Sequence, residues 1–259
     1  MAKADSDDVS LDRDPRALRR LAKSAASLSS NSDSCVARRD KEALTAISAM
    51  ICAPVLDSNK PGRPPPGVSS SLYAFVRKLR DAAGSENLWP FATRLAASSP
   101  LGGTDREAAA SRTAELARVF RLADWATREV APLALDLVAL NMQSRLLRSL
   151  APVQDSNSAR AGADTANTAA VRASVASAGA SNSADFARKA AVFAGRADDA
   201  FNVPDPVALA WAGAYAAGSA AAAAESAAAA GVDRQVLIAM QLSLLNELCP
   251  DLDSGGLRF

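Results

Sequence analysis

The chain has 259 residues, 29 basic against 28 acidic side chains for a net charge of +1, and a hydrophobic fraction of 49%. These values fall in the ordinary globular range and allow one large helical domain or two small ones. Histidine is absent, which excludes Ser-His-Asp and Cys-His nucleophile pairs, an imidazole base, imidazole metal ligands and a histidine pH switch.

Cys35, Cys52 and Cys249 stand far apart and form no C-x-x-C pair, which argues against zinc knuckles and thioredoxin-like sites. The first residues (MAKADSDDVSLDRD) are polar and acidic and lack the apolar run of a secretory signal. With an odd number of cysteines, this pattern fits a reducing compartment, and the expected location is cytoplasmic.

In chain order, Asp14-Pro15 reads as a cap followed by proline at the first helical position, with Leu18, Leu21, Ala25 and Leu28 on one face. A second helix is expected from about Val36 to Cys52, with Leu44, Ile47 and Ile51 at helical spacing and Pro54 stopping it. The Pro/Gly/Ser-rich stretch 57–70 reads as a stiff, extended linker. Ser69 to Ser71 then offer caps for a helix carrying Leu72, Phe75, Val76 and Leu79, which Gly84 ends. A short helix is expected after Trp89-Pro90, running through Leu95.

Thr104 is the expected cap of the most periodic segment, whose apolar positions recur from Leu116 to Leu150. Pro132 should kink this segment or divide it. Residues 153–183 are polar and low in complexity, and predict only a weak helix over 164–178 between flexible ends. Ser183 reads as the cap of a helix carrying Phe186, Ala190, Phe193 and Ala197. Asp205-Pro206 and Gly231 frame one long helix that is almost all alanine, the best helix former. A last amphipathic helix is expected from Asp233 to Cys249, closed by Pro250.

No run alternates with period two, so strands are not expected. The predicted class is all-α, a multi-helix bundle or stacked helical hairpins with a long Ala-rich helix near the C-terminus. The expected organisation has five parts. They are a basic helical segment (1–56), the linker (57–70), a central helical core (71–152), the polar connector (153–183) and a C-terminal Ala-rich region (184–259). The uncharged run Pro206 to Ala224 approaches the length of a membrane span. Alanine contributes little to insertion, however, and a membrane partner is not expected.

Three groups of residues are candidates for function. Arg16, Arg19, Arg20, Lys23, Arg38 and Arg39 concentrate positive charge near the start of the chain. Residues 1–100 hold 15 basic and 11 acidic side chains, the remainder 14 and 17. Such a cluster binds phosphate backbones through counterion release. Interleaved acids and scarce aromatics are equally those of a solvated helix face.

Close carboxylates occur at Asp124 and Glu129, at Asp198-Asp199, and at Asp251 and Asp253, but none matches a metal or catalytic motif. Leu101-Gly102-Gly103-Thr104 offers free amides to an anion or simply forms a loop and cap. Trp211 and Tyr215, four residues apart, share one face of the alanine helix. Beside a flat methyl surface they are the expected partner-binding anchors. Their bland reading, shared with Trp125, is core packing.

No catalytic, cofactor-binding or metal residue is predicted. The leading expectation is a non-enzymatic interaction or assembly protein that binds a protein partner or copies of itself. A nucleic-acid-binding coat or nucleocapsid-type protein is the alternative. The alanine-dense texture is also loosely similar to that of bacterial toxin-neutralising immunity proteins, which implies a third, partner-binding role.

Overall fold

The computed structural model describes residues 47, 64, 68–96 and 105–249. In chain order the helices are α1 (Ser70–Ala83), α2 (Ser85–Leu88), a 3-10 turn (Trp89–Phe91) and α3 (Ala92–Ala96). After them come α4 (Asp105–Asp124), a π-helical turn (Trp125–Val130), α5 (Ala131–Leu137) and α6 (Asn141–Arg148). The last four are α7 (Ser156–Ala173), α8 (Ala178–Asn202), α9 (Pro206–Ala229) and α10 (Arg234–Leu248). There is no strand among the described residues, so the expected all-α class is the class observed.

The Ser69 hydroxyl accepts from the Leu72 amide at 3.2 Å, and Gly84, at φ 79°, ends α1. Between them Leu72, Phe75, Val76 and Leu79 are fully buried. Each such side chain stabilises the fold by about 1.5–3 kcal/mol relative to exposure. Phe75 meets Trp125 edge-on, with ring centroids 5.9 Å apart and planes at 88°. Ile47, from the second expected helix, is helical and buried in the same cluster.

The periodic segment from Leu116 to Leu150 breaks twice rather than once. α4 runs into the wider π-helical turn, and Pro132 follows it in the first turn of α5, where proline is tolerated. The second break lies between α5 and α6. The Leu140 amide donates to Leu135 O at 3.0 Å and the Ala139 amide to Asp136 O at 3.1 Å, while Ala139 adopts φ 59°. This is a Schellman end with alanine in the left-handed position that glycine usually fills. With no glycine or proline to mark it, the stop is invisible to periodicity. Leu137 consequently turns out to solvent, 55% exposed, instead of continuing the apolar stripe.

α7 corrects the weak helix expected over 164–178. It starts at Ser156, where Asp155 and Ser158 form a reciprocal capping box, with the Ser158 amide donating to the Asp155 carboxylate at 2.7 Å. Its buried face is Ala159, Gly162, Ala163, Ala166, Ala169, Ala170 and Ala173. Large side chains are unnecessary there, because methyl groups pack against a close neighbour without losing rotamer entropy. Ser183 is likewise not a cap. Ser177 caps α8, and Ser183 lies fully buried within it, donating its hydroxyl to Ala223 O of α9 at 2.9 Å.

α8 is therefore the middle of three antiparallel helices. Ser181 donates to Ala170 O at one end of the α7–α8 pair, and Ser156 donates to Asp198 at the other. α9, capped by Asp205 and ended by Gly231 at φ 105°, packs on α8, α1 and α4 together. α9 runs parallel to α1, because Ser71 lies beside Gly213 while Ala82 and Ala224 line one cavity further along. α9 is long and apolar enough to cross a membrane, and 61% of its apolar window is buried inside the fold. Buried residues from Ile47 to Cys249 form one hydrophobic cluster.

Candidate functional site

The residues that combine exposure with a fixed arrangement lie at the start of α9. The Asp205 carboxylate accepts from the amides of Val207 at 3.0 Å and Ala208 at 2.9 Å, which fixes the first turn. Val207, Trp211 and Tyr215 then follow at intervals of four along one face. Trp211 and Tyr215 lie 4.4 Å apart, centroid to centroid. Phe193 reaches across from α8, stacking on Tyr215 at 5.1 Å and meeting Trp211 edge-on at 5.4 Å.

The Arg196 guanidinium sits 5.1 Å from the Phe193 centroid, within cation–π range. Tyr215 and Phe193 are half-buried, whereas Trp211 is 48% exposed and Val207 77%. The core-packing reading thus holds for Trp125, which is buried, and not for Trp211. Phe193 was placed by the sequence on the core stripe of its own helix. Its part in this cluster depends on the pairing of α8 with α9, which the sequence does not reveal.

Of the predicted carboxylates, Asp198, Asp124 and Glu129 act as structural fasteners. Asp198 accepts from the Ser156 amide at 2.9 Å and hydroxyl at 2.7 Å, which pins the start of α7 to α8. Asp124 accepts from Arg128 and from the Val153 amide, both at 3.1 Å. Glu129 and Glu247 each sit 2.8 Å from Arg121. Burial disfavours the charge on Arg121, but its hydrogen bonds to Glu247 and Glu129 prevail and hold its pKa above the ordinary value.

A further acidic residue, Glu115, carries no motif or spacing signal in the sequence. It is buried, accepts from the Ser71 amide at 2.8 Å and from the Ser69 hydroxyl, and thereby caps the start of α1 from α4. The positive end of the helix dipole favours the carboxylate there. Gly213 leaves room for it, since a Cβ at that position would stand 3.2 Å from Glu115 Oε1.

No group of three or more acidic or cysteine side chains is arranged to hold a metal ion among the described residues. Cys249 is buried, and desolvation pushes its thiol up to about 11, so little thiolate forms at neutral pH. Arg16, Arg19, Arg20, Lys23, Arg38 and Arg39 lie outside the described residues, as do Leu101 to Thr104, Asp251 and Asp253. Comparison with protein families, characterised proteins and solved structures finds no match for this chain.

Proposed function

We propose that this chain is a non-enzymatic helical interaction protein, and that it docks a protein partner on the strip formed by Val207, Trp211 and Tyr215. The observation that carries the reading is Trp211, a large aromatic left half-exposed while Tyr215 and Phe193 hold it in place. An indole fixed before binding loses little side-chain entropy on docking. Tryptophan and tyrosine in such positions dominate the energetics of interfaces. Val203, in the α8–α9 connection, is a further exposed apolar side chain at 74%.

A photo-crosslinking amino acid at position 207 in the producing cell tests this reading. The expected result is one discrete crosslinked protein species, lost in Trp211→Ala while the helical content of the chain is unchanged. Crosslinks that are diffuse, or that persist in Trp211→Ala, would overturn it. Size-exclusion chromatography with light scattering then separates a second copy of this chain from a different protein. Co-eluting nucleic acid, seen as a raised ultraviolet absorbance ratio, would favour the coat-type reading instead.

A further inference from the structure

A cavity of about 210 Å³ opens between α1, α9 and α10, far along α9 from Trp211. Ala224, Leu237 and Ile238 supply its apolar walls, and Glu225, Arg234 and Gln241 supply polar groups. Gln241 is the informative member. It is only 3% exposed, yet its amide has no hydrogen-bond partner among the described residues. Its residual exposure is to the cavity it lines, so the amide is open to a ligand there. At the mouth stand the carboxylate of Glu225 and the guanidinium of Arg234. They feel each other's charge but form no ion pair with one another among the described residues.

The chemistry of this lining selects a ligand class. A lone anion on Arg234 would leave Glu225 opposing it, and a lone cation on Glu225 would leave Arg234 uncompensated. A ligand with both charges on neighbouring atoms satisfies the pair. The amide of Gln241 offers one acceptor and two donors, and so serves either head group. The volume corresponds to roughly seven waters at about 30 Å³ each, and lies below the roughly 300–1,000 Å³ of sites for drug-sized ligands. Apolar walls favour an aliphatic remainder.

We propose that this cavity binds a free α-amino acid with a small aliphatic side chain, carboxylate on Arg234, ammonium on Glu225 and head group hydrogen-bonded by Gln241. Desolvation at the cavity edge also holds the Glu225 carboxyl above its ordinary value, with Lys78 opposing, Asp81 adding and Arg234 opposing. An ammonium beside it would restore the charged form. The site stands apart from the Trp211 strip, so each proposal survives failure of the other.

The test is thermal unfolding and titration calorimetry of the full chain with L-leucine and L-valine, up to about 10 mM. Isovalerate and isobutylamine, each with one of the two charges, are the comparison ligands. A raised Tm and saturable heat with the amino acids is expected, with neither analogue binding comparably. Arg234→Gln and Glu225→Gln should each weaken binding about tenfold or more, with the helical content of the ligand-free chain unchanged. Gln241→Leu, which removes the amide at nearly constant side-chain size, should abolish binding. Absence of any response to both amino acids, equal binding of isovalerate, or unchanged affinity in Arg234→Gln would overturn the proposal.

Discussion

α1 and α4 contribute Leu72, Phe75, Leu79, Val119 and Leu122 to the part of the core that holds Trp125, which Phe75 meets edge-on. The interface of α7, α8 and α9 instead buries alanine after alanine, with Gly162 and Ser183 among them. The first region gains stability from the area of each side chain, about 25 cal/mol for every Å² removed from water. The second gains it from proximity. Its side chains are short enough for a hydroxyl on one helix to reach a backbone carbonyl on the next, as Ser181 and Ser183 do. The two regions therefore fail in opposite ways, one when atoms are removed and the other when atoms are added.

Removing atoms should have the largest effect in the first region. Phe75→Ala is expected to destabilise the fold by about 3–5 kcal/mol in urea unfolding, because it deletes a buried ring and its edge contact with Trp125. Adding atoms should do comparable damage in the second. Ala187→Leu puts three extra carbons into the fully buried face of α8, and a loss of about 1–3 kcal/mol is expected. A neutral Ala187→Leu would mean that these helices have slack, and the contrast would collapse.

Two glycines sharpen the same point with one identical change. A Cβ on Gly179 would lie 2.6 Å from the Ala230 nitrogen, against backbone that cannot rotate aside. A Cβ on Gly218, in the middle of α9, would meet nothing within 4 Å. Gly179→Ala should therefore destabilise by about 1–3 kcal/mol, while Gly218→Ala should stabilise by up to about 1 kcal/mol through helix propensity. Matching signs in differential scanning calorimetry would contradict the packing described for α8 on α9. The smallest effect is expected at Ala139→Gly, which relieves the left-handed backbone between α5 and α6 and should stabilise by about 0.5–1 kcal/mol.

Local chemistry was legible in the sequence and spatial pairing was not. Ser69 and Gly84, Asp205 with Pro206 and Gly231, and Asp233 all bound the helices where their side chains and backbone freedom place them. Residues 156–173 were underestimated because a search for large apolar side chains overlooks a face of alanine. The break at Ala139 escaped because an alanine occupies a glycine position. Of the candidate surface, the spacing of Trp211 and Tyr215 located two of three rings. Phe193, Glu115 and the cavity at Gln241 all depend on which helices are neighbours, and an alanine surface carries little information about that choice.

The parallel contact between α1 and α9 also orders events in time. The α7–α8 and α8–α9 hairpins close over a few residues, so they assemble at the pace of local helix pairing. Seating α1 on α9 joins Ser71 to Gly213, a loop of roughly 140 residues whose closure entropy must be met before any contact rewards it. The alanine hairpins are thus expected to form early in folding and α1 to seat late, an order that stopped-flow refolding of variants checks. Substitutions in α8 should slow refolding, whereas those in α1 should act mainly by hastening unfolding.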